Sequence, residues 1–93
     1  MTIQVKGYLT LQKLVGKRSI EVAEGETLRA LLETLAREIG ATFAGQVLAA
    51  EGGPQEHIAV PVNGRSYRNL LHGLDTRLHD GDEVAIFPPV MGG

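Results

Sequence analysis

Four stretches of the chain alternate between apolar and polar residues, which is the pattern of a strand with one buried face. Residues 2–9 and 19–23 predict an antiparallel hairpin with a long connection, and residues 57–62 and 83–87 predict two further strands. Gly7 interrupts the first run, which is typical of a bulge. In the first run Ile3, Val5 and Leu9 fall on one side of the strand. The side chains expected to face the core from the last two runs are Ile58, Val60, Val62, Val84 and Ile86.

The clearest helix signal lies between Thr27 and Gly40. Thr27 is a good N-cap residue, because its hydroxyl can accept a hydrogen bond from a free N–H of the first turn. Gly40 is placed to end the helix in a left-handed conformation. The apolar residues between them fall at helical spacing and predict one buried stripe, formed by Leu28, Leu31, Leu32, Leu35 and Ile39.

The remaining segments read as connections. Residues 41–56 are compatible with a partial helix or with a packed loop. Asn63-Gly64 predicts a tight turn, and residues 65–67 a short return strand. The leucines of residues 70–78 indicate an irregular or 3₁₀ stretch, and residues 80–82 a turn before the last strand. Pro61 cannot donate to a neighbouring strand, so it predicts an edge or a gap in the ladder.

The order of these elements predicts an α+β fold. A hairpin, one crossover helix and further strands give a mixed sheet of about four to five strands packed on one main helix. Right-handed crossovers make the first and last strands parallel neighbours in the centre of the sheet. That is the β-grasp, or ubiquitin-like, arrangement. We expect residues 1–87 to form this domain and residues 88–93 to form an extended C-terminal tail that ends in Gly-Gly.

Composition narrows the classes of function. Ninety-three residues suggest one domain with a modest core. The net charge is −2 and no basic block is present, which argues against a nucleic-acid partner. No apolar run reaches membrane-spanning length and the first residues lack a signal-peptide pattern, so we expect no membrane association and a cytoplasmic location. The absence of cysteine excludes thiolate catalysis and disulfides within these residues.

No catalytic or metal-binding constellation stands out. His57, His72 and His79 lack the spacing of a helical metal pair, so surface or turn histidines are favoured. The acidic residues of the 80–83 turn lack the rest of a calcium loop. Serines lack a nucleophile elbow, and no phosphate-cradling glycine loop is present. We therefore expect no enzyme activity of its own and no metal.

The end of the sequence carries the strongest chemical signal. Gly92 and Gly93 have no side chains, so they can enter a narrow slot as bare backbone and present the terminal carboxylate. Pro88 and Pro89 restrict φ and lack N–H groups, which favours a stretched, unpaired stalk after the last strand. The pattern suits a protein whose own terminus is the substrate. A frayed, inert end is the alternative.

Four segments resemble the ubiquitin-like sulfur carriers of the MoaD/ThiS family, and within it the small subunit of molybdopterin synthase. They are residues 8–16, residues 25–28, residues 62–64 and the ending Asp80-Gly81-Asp82-Glu83-Val84-Ala85-Ile86-Phe87-Pro88-Pro89-Val90-Met91-Gly92-Gly93. The ending is the most specific of the four. Met91 departs from the family pattern, in which a small residue is more common at that position.

The resemblance implies a mechanism in which the chain is a substrate. A ubiquitin-activating-enzyme-like adenylyltransferase uses ATP to adenylate the Gly93 carboxylate, and a sulfur donor protein then converts it to a thiocarboxylate. The thiocarboxylate donates sulfur to an acceptor synthase, such as the large subunit of molybdopterin synthase. Gly92 gives close backbone access, and the carrier itself binds no cofactor.

Partner recognition must come from the surface near the tail. By strand alternation Phe87 points away from the core, and we expect an exposed apolar patch with Leu9 or Leu11 and with Pro61. Phe87 capping the main core is the alternative. Tyr67 and Arg65 are expected beside the patch or on a solvated face. The predicted partner-binding set is Pro61, Phe87, Pro88, Pro89, Val90 and Met91.

Three functions remain open at this point. The first is a sulfur carrier for molybdopterin synthesis, with thiamine, cysteine or tungsten-cofactor pathways as variants. The second is a protein modifier, in which a lysine amine captures the same activated terminus. The third is a β-grasp binding module with an inert tail.

Overall fold

The structure is a computed structural model, and it describes residues 1–89. Within that range one sheet contains the strands β1 (Thr2–Gly7), β2 (Lys17–Glu21), β3 (Pro61–Val62), β4 (Arg65–Ser66) and β5 (Glu83–Ile86). The α-helices are α1 (Gln12–Val15), α2 (Leu28–Ile39) and α3 (Ala41–Val47). Short 3₁₀ turns lie at Leu9–Leu11, Tyr67–Asn69 and Gly73–Asp75.

The sheet has the strand order β2-β1-β5-β3-β4. β1 and β5 are parallel and run side by side from the Gln4–Glu83 pair to the Gly7–Ile86 pair. The β1–β2, β3–β4 and β3–β5 pairs are antiparallel. The predicted α+β, β-grasp fold is therefore confirmed, including the first and last strands as central parallel neighbours. The proposed division between a domain of residues 1–87 and a tail of residues 88–93 stays a prediction.

The core lies between the sheet and α2. The helix begins as predicted, because the Thr27 side chain accepts a hydrogen bond from the Ala30 N–H at 3.2 Å. The four leucines of the predicted stripe are buried completely, in one cluster with the inward side chains of β1 and β5, while Ile39 at the end of the stripe is only partly buried. Each buried leucine contributes about 1.5–3 kcal/mol of transfer free energy. This burial, rather than helix propensity alone, fixes α2 on the sheet.

The first hairpin differs from its predicted bounds. β1 ends at Gly7, and Leu9 lies in a 3₁₀ turn with a φ of 54° and an exposed side chain. β2 covers residues 17–21 instead of 19–23, because pairing with β1 starts directly after the turn at Gly16. The predicted bulge at Gly7 is wrong, since Gly7 pairs in regular register with Ile86. The glycine is required there by packing: a Cβ would lie 2.5 Å from the Leu11 carbonyl oxygen and 2.7 Å from the Val15 Cβ.

Residues 41–56, for which the sequence was compatible with a partial helix or a packed loop, contain the helix α3. α3 buries Phe43 and Val47 in the core, which decides for the partial helix over the packed loop. Gly40 ends α2 with a φ of 105° and a ψ of −167°. This is a glycine conformation with an extended ψ, not the left-handed helical one that we expected. The chain therefore turns between α2 and α3 at a single residue.

The strand predicted for residues 57–62 is shorter than expected, but its apolar side chains face the core as expected. Ile58, Val60 and Val62 are buried, while β3 itself covers only Pro61 and Val62. On both sides of Pro61 a backbone N–H donates across to the neighbouring segment: Asn63 to the Glu83 carbonyl of β5 at 2.7 Å, and Ala59 to the Phe87 carbonyl just after β5 at 3.1 Å. Pro61 has no N–H to donate between them, so it produces the predicted ladder gap within the sheet and not at its edge.

Among residues 1–89, no helix has the length and apolar character needed to cross a bilayer.

We expect Gly7→Ala to destabilise the domain by about 1–3 kcal/mol, because the new methyl group overlaps backbone that cannot move without displacing α1. Urea unfolding followed by circular dichroism measures the change. Gly45→Ala is the matched control, since its Cβ meets no atom within 4 Å on an exposed helix position. That variant gains about 0.5–1 kcal/mol from helix propensity. Equal stability of the Gly7→Ala variant and the parent would contradict this packing account.

A second prediction concerns Asn63, which has a φ of 50°. Its side chain donates to Asp82 at 3.0 Å and accepts from the Glu83 N–H at 2.9 Å. We expect Asn63→Gly to lower the free energy of unfolding only through the loss of these two hydrogen bonds. Asn63→Ala should lower it by a further ~1–2 kcal/mol, because alanine is strained in the left-handed backbone conformation. The difference between the two variants in chemical unfolding measures that strain. If alanine is as stable as glycine here, the backbone contribution is absent.

Candidate functional site

A concave surface lies on the side of the sheet away from α2. It encloses about 520 Å³ and extends along β5, from Glu83 at the start of the strand to Phe87 just after its end. Side chains of four strands and of the turns beside them line it, among them Lys6, Tyr8, Lys17, Pro61, Glu83 and Phe87. The alternation of β1 and β5 explains this placement, because Val5 and Val84 fill the core while their neighbours point the other way.

Two aromatic rings form one wall of this concavity. Tyr8 and Phe87 stack with ring centroids 4.4 Å apart and planes inclined by 9°. The stack is set by the parallel register, because the Tyr8 N–H continues the β1–β5 ladder and donates to the Ile86 carbonyl at 3.0 Å. Both rings are only partly buried. A stacked, half-exposed pair on a rigid sheet offers a flat apolar surface to a partner.

Positive charge lies beside this wall. The Lys6 ammonium stands 4.9 Å from the centre of the Tyr8 ring, which is cation–π distance. Lys17 is the direct cross-strand neighbour of Lys6, and both side chains are exposed. The rim of the concavity therefore combines the Tyr8–Phe87 wall with two lysines, and Glu83 supplies one negative charge on the same surface.

The predicted partner-binding residues fall into three groups. Phe87 and Pro61 line the concavity together. Pro88 is buried and Pro89 exposed directly after the last strand. Val90 and Met91, and with them the predicted reactive residues Gly92 and Gly93, lie outside the described residues. The assignment of all of these as site residues stays a prediction.

The structure changes the neighbours expected for Phe87. Leu11 is 2% exposed and belongs to the core, while Leu9 is 64% exposed on its 3₁₀ turn. Tyr67 is also buried, with the Arg68 guanidinium 4.9 Å from its ring, and Arg65 is exposed on β4. The partner of Phe87 is Tyr8, which sequence reasoning did not name. Tyr8 and Phe87 both lie at outward positions of strands predicted to be parallel neighbours, and only the register was missing.

The residues considered as rival sites have structural roles or open surroundings. Asp82 accepts from the His79 N–H at 2.8 Å and from the Asn63 amide, and Asp80 accepts from the Thr2 N–H at 2.7 Å. These carboxylates hold the turn that precedes β5. The three histidines are exposed. Among residues 1–89, no group of three or more potential ligands stands close enough to hold a metal ion.

Known proteins resemble this chain over its whole length. The sequence matches the ThiS family over residues 8–93. It is 35% identical to small archaeal modifier protein 3 of Haloferax volcanii, with full coverage of both chains. It is also 35% identical to the molybdopterin synthase sulfur carrier subunit of Escherichia coli, covering 98% of this chain and 99% of that protein.

The fold gives the same result. The crystal structure of SAMP1 from Haloferax volcanii superimposes with a TM-score of 0.82 at 26% identity, and the alignment covers both chains completely. The family match, the full-length relatives and the β-grasp topology together show that this chain belongs to the ThiS family of ubiquitin-like sulfur carriers and modifiers, whose members are small carrier proteins rather than catalysts.

Proposed function

We propose that this chain carries sulfur for molybdopterin synthesis, with the Gly93 carboxylate as the group that is activated. The observation that supports this most strongly is that the family match continues through the tail to residue 93. A relative named as the sulfur carrier subunit of molybdopterin synthase shares the full length at 35% identity. The position of β5 adds to this, since the tail follows directly from a strand in the centre of the sheet.

The chemistry requires activation, because a carboxylate repels nucleophiles and oxide is a poor leaving group. An activating enzyme forms an acyl-adenylate from the Gly93 carboxylate and ATP, with release of pyrophosphate. A hydrosulfide equivalent from a donor protein then attacks the carbonyl carbon. The bond between that carbon and the phosphate oxygen breaks, and AMP leaves. The product is a terminal thiocarboxylate. The partner enzyme supplies the electrostatic stabilisation of this reaction, and the carrier itself holds no cofactor.

The folded body acts as a handle for these partners. Pro88 and Pro89 continue from a strand hydrogen-bonded on both sides, so their starting position is fixed relative to the concavity. The four residues after Pro89 can span at most about 14 Å. An activating enzyme that binds the Tyr8–Phe87 surface must therefore bring its nucleotide within that distance of Pro89. The donor protein and the acceptor synthase bind the same surface in turn. The proposed function involves no nucleic acid and no membrane, and it takes place in the cytoplasm.

A second function is supported by a specific observation. The chain is 35% identical over its full length to a protein named as a small archaeal modifier. In a modifier, a lysine ε-amine of a target protein attacks the carbonyl carbon of the same acyl-adenylate, AMP leaves as the C–O bond breaks, and an isopeptide bond forms. The carrier and modifier functions share the activation step and differ only in the nucleophile that follows.

Activation at Gly93 predicts a defined change in mass. Incubation with ATP, the activating enzyme and a sulfur donor should add about 16 Da to the intact chain, the difference between sulfur and oxygen. Intact-protein mass spectrometry measures it. Conjugates of higher mass on other proteins would indicate the modifier function instead, and an unchanged mass would indicate an inert tail.

The control is a chain without Gly93, which keeps the fold but moves the carboxylate back by one residue. We expect the fraction of chain that gains about 16 Da to fall at least about tenfold, because the reacting atoms no longer reach the nucleotide. Retained thiocarboxylate on that variant would contradict both the carrier and the modifier proposal.

Docking on the aromatic wall predicts a selective effect of Phe87→Ala. We expect the KM for the carrier in the adenylation reaction to rise about tenfold or more, since aromatic anchors at the centre of an interface cost about 2 kcal/mol when removed. Pyrophosphate release at varied carrier concentration gives KM and kcat. Leu71→Ala is the control, because Leu71 is 92% exposed and does not line the concavity. An equal response of both variants would argue against docking at Phe87.

A further inference from the structure

The outer edge of β2 is available for pairing. β2 is the terminal strand of the sheet, and no other strand of the described residues pairs with its outer side. It is five residues long and contains no proline or glycine. The opposite edge, β4, has only two residues. Natural sheets usually shorten, bend or cover such an edge, because its free backbone groups can pair with another chain.

The register with β1 shows which backbone groups face outward. The Val22 N–H donates to the Met1 carbonyl at 2.9 Å, and the Gly7 N–H donates to the Gly16 carbonyl at 2.8 Å. In an antiparallel pair the residues with both groups toward the partner alternate with residues whose groups point away. The N–H and C=O groups of Lys17, Ser19 and Glu21 therefore point to the free edge. These three side chains are also exposed.

This edge is complementary to itself. If two copies pair antiparallel with a two-fold axis at Ser19, Ser19 faces its symmetry mate and Lys17 faces Glu21 of the other copy. All three outward-facing positions then meet as hydrogen-bonded pairs. Two Lys17–Glu21 ion pairs form on the exposed face, and opposite charges directly across a sheet are stabilising. A parallel, in-register pairing would place Lys17 on Lys17 and Glu21 on Glu21, which is destabilising.

We propose that this protein forms a homodimer through antiparallel pairing of β2 with β2 of a second copy, giving one continuous ten-stranded sheet. The occupant is a second copy of this chain because Lys17, Ser19 and Glu21 match their own reversed order. Lys17 lies at the end of the sheet where β5 finishes, since it pairs with Lys6, and Glu21 lies at the other end. The symmetry therefore places the two tail exits at opposite ends of the sheet, where neither blocks the other.

A charge-swap experiment tests this interface. Analytical ultracentrifugation at low salt should give a mass of roughly twice 10.0 kDa for the parent chain at high concentration. Lys17→Glu and Glu21→Lys should each be monomeric, because each variant opposes like charges in its own dimer. Mixed in equal amounts they should form a heterodimer, since every pair is then Glu against Lys. The double variant should dimerise like the parent.

Two controls keep the test specific. Lys13→Glu and Glu24→Lys make the same changes in net charge at exposed positions outside β2, and they should leave the dimer unchanged. Ser19→Pro removes an outward N–H and keeps the backbone hydrogen bonds to β1, losing only the side-chain bond from the Ser19 hydroxyl to Gln4. It should therefore abolish the dimer while circular dichroism shows a folded domain. A parent chain that stays monomeric up to about 1 mM would overturn the proposal. A dimer that survives both Lys17→Glu and Ser19→Pro would overturn it as well.

Discussion

The parallel pairing of β1 with β5 is the constraint on which the other features of this protein depend. It joins the first and last strands in the middle of the sheet, so most other elements are positioned relative to this pair. The inward side chains of the pair supply the floor on which the α2 leucines are buried. The outward side chains place Tyr8 on Phe87. One hydrogen-bonded ladder thus orients both the core and the candidate docking surface.

Gly7 affects both the core and the candidate docking surface. It is the last residue of β1, and the absence of a Cβ lets the following turn fold back within contact distance of the strand. Leu11 and Val15 can then close the core, while Tyr8 stays on the outer face. A larger residue at this position would disturb the core and the aromatic wall together, because one short stretch of backbone serves both.

The proposed function needs no reactive side chain from the folded domain. The carboxylates near β5 are engaged in holding a turn, and the lysines beside Tyr8 are exposed on a rim. What the fold offers partners is a fixed distance from a recognisable surface to the start of the tail. The proposed carrier and modifier functions would both use that geometry, and relatives with either name share this chain's full length.

Local periodicity and capping were enough to predict the main helix, the order of the elements and most of the buried side chains. It also placed Phe87 and Pro61 near the tail, as their strand positions required. It could not determine where β1 ended, that residues 41–47 would be helical, or that Tyr8 would stack on Phe87. Those outcomes depend on strand register and close packing, such as Tyr8 against Phe87, whose rings are far apart in the sequence and meet only when the chain has folded.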